Sequence, residues 1–260
     1  MRELSFYFST VNRYSDPVTE QDFLLRCLPQ ELPEQEITEF DLRVTPRVTG
    51  ATFGRDSFGN TTYHGRIPEP HTEFTFTISG KAIRDESRRR IELFPLPCYR
   101  YPSALTRPSE TLRNLLRSIP EDPDPLREVD LLRVAVHASL EYRSGVTNVS
   151  TTASEALEGG QGVCQDFTHV FIALCRMRGL PARYVSGLPL GEGASHAWAE
   201  VWCSGLWRGV DATRDCAADD NYLKFCTGRD FSDCPIEQGV FRGACKQSQS
   251  VWTSLKVAEQ

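Results

Sequence analysis

The run Glu158-Gly159-Gly160-Gln161-Gly162-Val163-Cys164-Gln165-Asp166-Phe167-Thr168-His169-Val170-Phe171-Ile172-Ala173-Leu174-Cys175-Arg176-Met177-Arg178-Gly179 joins a glycine-rich loop to an apolar-periodic segment. Val170, Phe171, Leu174 and Met177 recur at helical spacing, which predicts a helix from about 164 to 178. Gly179 stops it and Pro181 follows. Cys164 then stands at the helix N-terminus, facing backbone N–H groups that have no partner within the helix and the positive end of the helix dipole. Both favour the thiolate, the nucleophilic form of cysteine, and the same N–H groups can receive an oxyanion. The plainer reading is a buried structural cysteine that happens to begin a helix, since cysteine is often buried.

Downstream of this helix the period changes to two. Ala182–Gly187, His196–Cys203 and Leu206–Ala212 read as strands, with turns at Gly191-Glu192-Gly193 and Ser204-Gly205. If Ser204-Gly205 is a two-residue hairpin turn, Cys203 faces Leu206 and His196 faces Thr213. Asp211 then shares a face with His196 at the diagonal position, about 7–8 Å away along the backbone and within side-chain reach. An acid there can hold one ring nitrogen of His196 and leave the other for a thiol. A slip of one residue would put the two on opposite faces. Trp198, Trp202 and Trp207 either line an acyl cleft or fill the sheet core.

Upstream of the helix, residues 126–141 and 153–158 read as two further helices, the second capped by Thr152. The stretch 101–125 is punctuated by Pro102, Pro108, Pro120, Pro123 and Pro125, with a short helix over Glu110–Ser118 behind Ser109; it reads as a domain junction. Residues 1–100 alternate short β-type runs with turns, among them Ser5–Ser9, Phe40–Val44, Thr61–His64 and Glu73–Ile78. The expected architecture is α+β. An N-terminal antiparallel β-sandwich-like domain over 1–100 is followed by the junction and by a core over 126–260 with a helix-borne cysteine and an antiparallel sheet. A late strand is expected over Ser250–Val257.

The 260 residues are 40% hydrophobic and carry a net charge of −6. This balance gives no reason to expect nucleic acid or an anionic membrane as partner, and Arg88-Arg89-Arg90 alone does not outweigh it; that run reads as an exposed strand end or turn. No secretory signal is read behind Met1-Arg2, and no run reaches the roughly 18 apolar residues of a membrane span, so a cytoplasmic protein is expected. Nine cysteines without a Cys-x-x-Cys pair argue for reduced thiols and against a zinc site; no metal or cofactor is expected.

The stretches Gly162–Arg176 and Gly179–Gly187 resemble the nucleophile helix and following strand of the bacterial transglutaminase-like family, whose core is related to papain-type cysteine peptidases. Ser195–Val201 is similar to that family's histidine strand and Val210–Thr213 to its aspartate motif. Thr227–Asp233 resembles a downstream signature, and the N-terminal β region resembles the domain that commonly precedes this core. Two positions depart: Ala212 stands where proline is usual, and Cys234-Pro235 replaces a tandem-proline segment. The resemblance covers roughly 126–245 and implies Cys164 as nucleophile, His196 as base and Asp211 as its partner. It also implies a papain-like fold and, as in many small relatives, hydrolysis of a peptide or protein amide. Acyl transfer to an amine and a non-catalytic binding module are the alternatives. Gln161, Thr151 and Thr152 are polar candidates for a second oxyanion donor, and Arg229 with Asp230 is expected to form a structural ion pair.

Overall fold

The computed structural model describes residues 1–258. The first strand, β1 (Arg2–Leu25), is long enough to serve two sets of neighbours. It is followed by β2 (Gln35–Thr45), β3 (Thr49–Arg55), β4 (Thr61–Ile67) and β5 (His71–Arg84). The first half of β1 pairs antiparallel with β5, and β5 in turn with β2; the second half of β1 pairs with β4, which carries β3. Alternation along β1 buries Leu4, Phe6 and Phe8 and leaves residues between them partly or fully exposed, as a one-sided sheet requires.

Helices come next: α1 (Glu110–Ser118), capped by Ser109, and α2 (Pro125–Ser139), with proline at its first position and Asp124 as cap. A two-residue strand β6 (Glu141–Tyr142) precedes α3 (Ala153–Gly159), in which Thr152 and Glu155 cap each other reciprocally. Then β7 (Gln161–Gly162), parallel to β6, leads through Val163 into α4 (Cys164–Met177). The remaining strands are β8 (Ala182–Pro189), β9 (Gly191–Gly193), β10 (His196–Cys203), β11 (Leu206–Asp211), β12 (Cys216–Ala217), β13 (Tyr222–Gly228), β14 (Glu237–Arg242) and β15 (Gln247–Val257). Five of them form the second sheet in the order β12-β11-β10-β8-β13.

The result is a mixed, mostly antiparallel protein in which a curled half-barrel sheet and a helix-backed sheet share their packing, the papain-like arrangement expected. On β10, Ala197, Ala199 and Val201 join the core of α4, where Phe167, Val170, Phe171 and Leu174 are buried. Leu223 and Phe225 of β13 join the core of the first sheet instead, Phe225 edge-on to Phe8 at 5.8 Å. A buried amide network reinforces this seam: Gln35 brackets Lys224, donating to its carbonyl and accepting from its N–H, and Asn60 does the same for Thr227.

The segment beyond residue 236, expected with the core over 126–260, returns as β14 and β15 to pair with β1. The length of β1 explains this, since both of its edges need partners along its whole run. Gly191-Glu192-Gly193, expected as a turn, is the short strand β9, paired with Thr253–Leu255 of β15. The run Arg88–Arg90 does lie just past the end of β5, where Arg88 pairs with Glu36 and Arg89 with Glu86.

Candidate active site

Cys164 is the first residue of α4 and half-buried. The loop before it is pinned by Asp166, whose Oδ2 accepts from the Val163 N–H at 2.7 Å and from Thr147 Oγ1 at 2.7 Å. Asp166 can fold back this way because residue 162 is glycine: a Cβ there would fall 2.7 Å from that same Oδ2. On the helix side, Thr168 Oγ1 donates to the Cys164 carbonyl at 2.7 Å. The thiol is thereby presented beside first-turn N–H groups that the helix itself leaves without acceptors.

His196 opens β10. The turn Ser204-Gly205 has positive φ at both residues, 51° and 85°, as a two-residue hairpin turn with the twist of its strands requires. This sets the register Cys203↔Leu206 through Ala199↔Val210 and brings His196 and Asp211 to one face. His196 Nε2 lies 2.6 Å from Asp211 Oδ2. The other ring nitrogen, Nδ1, is left free by Asp211, and Cys164 lies close enough for its charge to act on the ring. Thus the structure brings together all three residues singled out from the sequence.

Asp211 is fully buried and its carboxylate is saturated. Oδ1 accepts from the N–H groups of Thr213 and Arg214 at 3.0 and 3.1 Å, and Oδ2 accepts from the Tyr222 hydroxyl at 2.9 Å as well as from His196. Burial opposes its charge, but these donors and the imidazole outweigh burial and hold its pKa below the ordinary carboxylate value. Burial likewise works against the His196 cation, yet Asp211 and Cys164 overcome it and raise the imidazole to about 9. The pair can therefore hold a proton at neutral pH and hand it on, the property needed of a general acid opposite a thiolate.

Several sequence readings resolve differently. Gln161 donates to Glu141, Thr151 accepts from the Asn148 N–H and Thr152 caps α3, so each of the three oxyanion candidates is committed elsewhere. Arg229 pairs with Asp233 at 2.8 Å, not with Asp230, which caps the turn at 231–233 and accepts from the Leu105 N–H. Trp198 is buried against Tyr222, while the indoles of Trp202 and Trp207 donate to Glu92; the tryptophans belong to the sheet's packing. Tyr222 carries no signal of its own in the sequence. It lies beyond two short loops from Asp211, and no periodicity ties it to β11. A polar hollow of about 430 Å³ lies beside the loop before Cys164, lined by Thr147, Asn148, Thr151, Glu155 and Gln161. Among the described residues, no group of three or more His, Cys, Asp or Glu is placed to hold a metal ion, and no helix is long and apolar enough to cross a membrane.

Comparison with known proteins agrees with this architecture. Residues 113–212 match the model of the transglutaminase-like superfamily, and residues 5–82 match the bacterial transglutaminase-like N-terminal region. An uncharacterised protein of Mycobacterium tuberculosis is 31% identical over 268 residues, spanning 89% of this chain and 85% of its own length. One of Mycobacterium leprae is 27% identical over 258 residues, spanning 90% and 91%. The crystal structure of a proposed cysteine protease from Cytophaga hutchinsonii superposes with a TM-score of 0.84 over 100% of this chain and 91% of that one. Its sequence identity is 20%, so the likeness is one of fold.

Proposed function

We propose that this chain, which belongs to the transglutaminase-like superfamily, is a cysteine-dependent hydrolase of peptide or protein amides. The observation that carries the reading is the placement of Cys164 at the start of α4 against a His196 ring whose far nitrogen Asp211 holds at 2.6 Å. In this reading the Cys164 sulfur attacks the amide carbonyl, and the N–H groups at the head of α4 stabilise the oxyanion. His196 passes its proton to the departing amine, leaving a thioester on Cys164. His196 then takes a proton from water, which attacks the thioester and releases the acid. Asp211 orients the ring and stabilises the imidazolium without itself taking the proton.

Replacing water by a second amine in the last step would make the same site an acyltransferase. The all-free thiols fit a reducing, cytoplasmic setting.

Limiting iodoacetamide, mapped by mass spectrometry, tests the reading. Cys164 is expected to react ahead of the other partly exposed thiols Cys98, Cys216 and Cys245, and His196→Ala is expected to remove that lead. Equal labelling of all four would sink it. Release of peptide beside incorporation of a labelled amine then distinguishes hydrolysis from transfer.

A further inference from the structure

Tyr222 reaches Asp211 from an unexpected direction. It is the first residue of β13, the strand at the far side of the second sheet, with β8 and β10 lying between it and β11. Its ring crosses that distance edge-on to Trp198, centroids 5.1 Å apart, and its hydroxyl donates to Asp211 Oδ2 at 2.9 Å. The residue is 5% exposed, and burial together with the Asp211 charge keeps the phenol protonated. It is therefore a fixed donor, aimed at the oxygen that His196 also uses.

We propose that Tyr222 is a positioning residue that acts through Asp211 to fix the orientation of the His196 ring and to moderate how tightly that ring holds its proton. This rests on the reading of Cys164, His196 and Asp211 as the reacting set. Two backbone donors fill Oδ1 and two side-chain donors fill Oδ2, so the carboxylate has no rotational freedom left. A second donor on Oδ2 also draws charge from the oxygen that faces the imidazole. Without the hydroxyl, more of the carboxylate charge falls on the imidazolium, which then keeps its proton to higher pH.

The other polar and titratable groups around the pair come from several elements. Cys164 lies on α4, and Cys216 on β12 has its sulfur 3.5 Å from the phenol oxygen. The Arg214 guanidinium is 4.0 Å from Asp211 Oδ2. On α2, His137 Nδ1 meets the Ala212 carbonyl at 3.1 Å. Tyr142 on β6 and Tyr184 on β8 both lie near Cys164. None of these replaces the tyrosine's bond to Oδ2.

The test follows the His196 ring by nitrogen NMR of histidine-labelled protein across pH, assigned with His196→Ala, beside the pH–rate curve for alkylation of Cys164. Tyr222→Phe is expected to raise the pH at which His196 loses its proton by roughly half a unit to one unit, a part of the roughly one to two units that a hydrogen bond to a charged group is worth, because the change reaches the ring only through Asp211. Fluorotyrosine at position 222 keeps the ring and strengthens the donor, so it is expected to move the same step down, and it serves if the phenylalanine variant fails to fold. Both variants titrating with the wild type would overturn the proposal, as would slower alkylation at every pH with no displacement of the curve. If His196→Ala leaves the Cys164 rate unchanged, the reacting set itself is wrong, an outcome distinct from failure of the tyrosine's role.

Discussion

Gly187 stands opposite His196 in the β8–β10 ladder, and the space its missing side chain leaves is taken by the ring of Trp198. A Cβ at 187 would fall 2.5 Å from that ring and 2.1 Å from the Leu223 carbonyl on β13. Gly187→Ala must therefore push on the indole that supports Tyr222 and on the strand that carries it. Overpacking of this kind costs about 1–3 kcal/mol. The expected result is a lower denaturant midpoint together with slower labelling of Cys164, measured on the same preparation; unchanged labelling in a destabilised protein would show that the indole does not position the site.

In the proposed hydrolysis, the pH dependence of turnover follows from His196. Its cationic form is retained up to about 9, because Asp211 and Cys164 favour the proton more than burial opposes it. Donation to the leaving amine requires that proton, so kcat/KM for an amide substrate is expected to fall as pH rises through about 9. Asp211→Asn removes the charge that retains the proton, and the alkaline fall is expected to move toward neutrality. A profile flat through pH 10 would contradict the assignment of His196 as acid.

Away from the site, Glu200 is buried between two cations, with Arg183 Nε at 2.7 Å and Lys224 Nζ at 2.5 Å. Burial alone would favour the neutral acid, but the two cations hold the carboxyl down to about 2. The Arg183 guanidinium also lies 4.1 Å from the centre of the Trp207 ring. Glu200→Gln takes from buried Lys224 and partly buried Arg183 the carboxylate they share, leaving Lys224 with Glu34 at 3.6 Å, and breaking a buried pair costs about 3–5 kcal/mol. Denaturant unfolding measures it. A loss below 1 kcal/mol would mean that water reaches these groups.

His169 supplies an acid-sensitive element of the fold. It is fully buried, accepts from the Phe231 N–H at 3.1 Å through Nε2, and leaves Nδ1 without a partner. Burial, partly offset by Asp230 and reinforced by Arg176, pushes its pKa down to about 4. The folded state thus binds fewer protons here than the unfolded chain, and the stability this gives is present above about 6.5 and lost as pH falls through about 4. His169→Gln, which cannot titrate, is expected to flatten the decline in stability between pH 6.5 and 4. An unaltered slope would assign acid sensitivity to other groups.

The half that carries Cys164, His196 and Asp211 was legible because its signals are local. A glycine-rich loop before a 3.6-residue period places Cys164, and Ser204-Gly205 fixes a register that puts His196 and Asp211 on one face. What escaped depends on partners distant in sequence. Nothing between Asp211 and Tyr222 announces a bond across the sheet, and the tryptophans alternate in a way that suits a cleft or a core equally. The pairing of β9 with β15 joins residues some sixty positions apart, and a glycine-rich triplet reads locally as a turn. Arg229 chose Asp233 over its neighbour because one turn's spacing lets the guanidinium reach the carboxylate, while Asp230 points inward to cap.

The pairing of β9 with β15 also has a bearing on when the site comes into being. The loop that delivers His196 is held in place by Thr253, which donates to the Ala194 carbonyl, and by Lys256, which pairs with Glu192. Both anchors are synthesised after Cys164, His196 and Asp211 have all been made. A nascent chain halted before Gln247 holds Cys164, His196 and Asp211 but lacks the rail on which the histidine loop rests. In the proposed reading, arming of the thiol is thereby tied to completion of the first sheet, in which β15 returns to pair with β1.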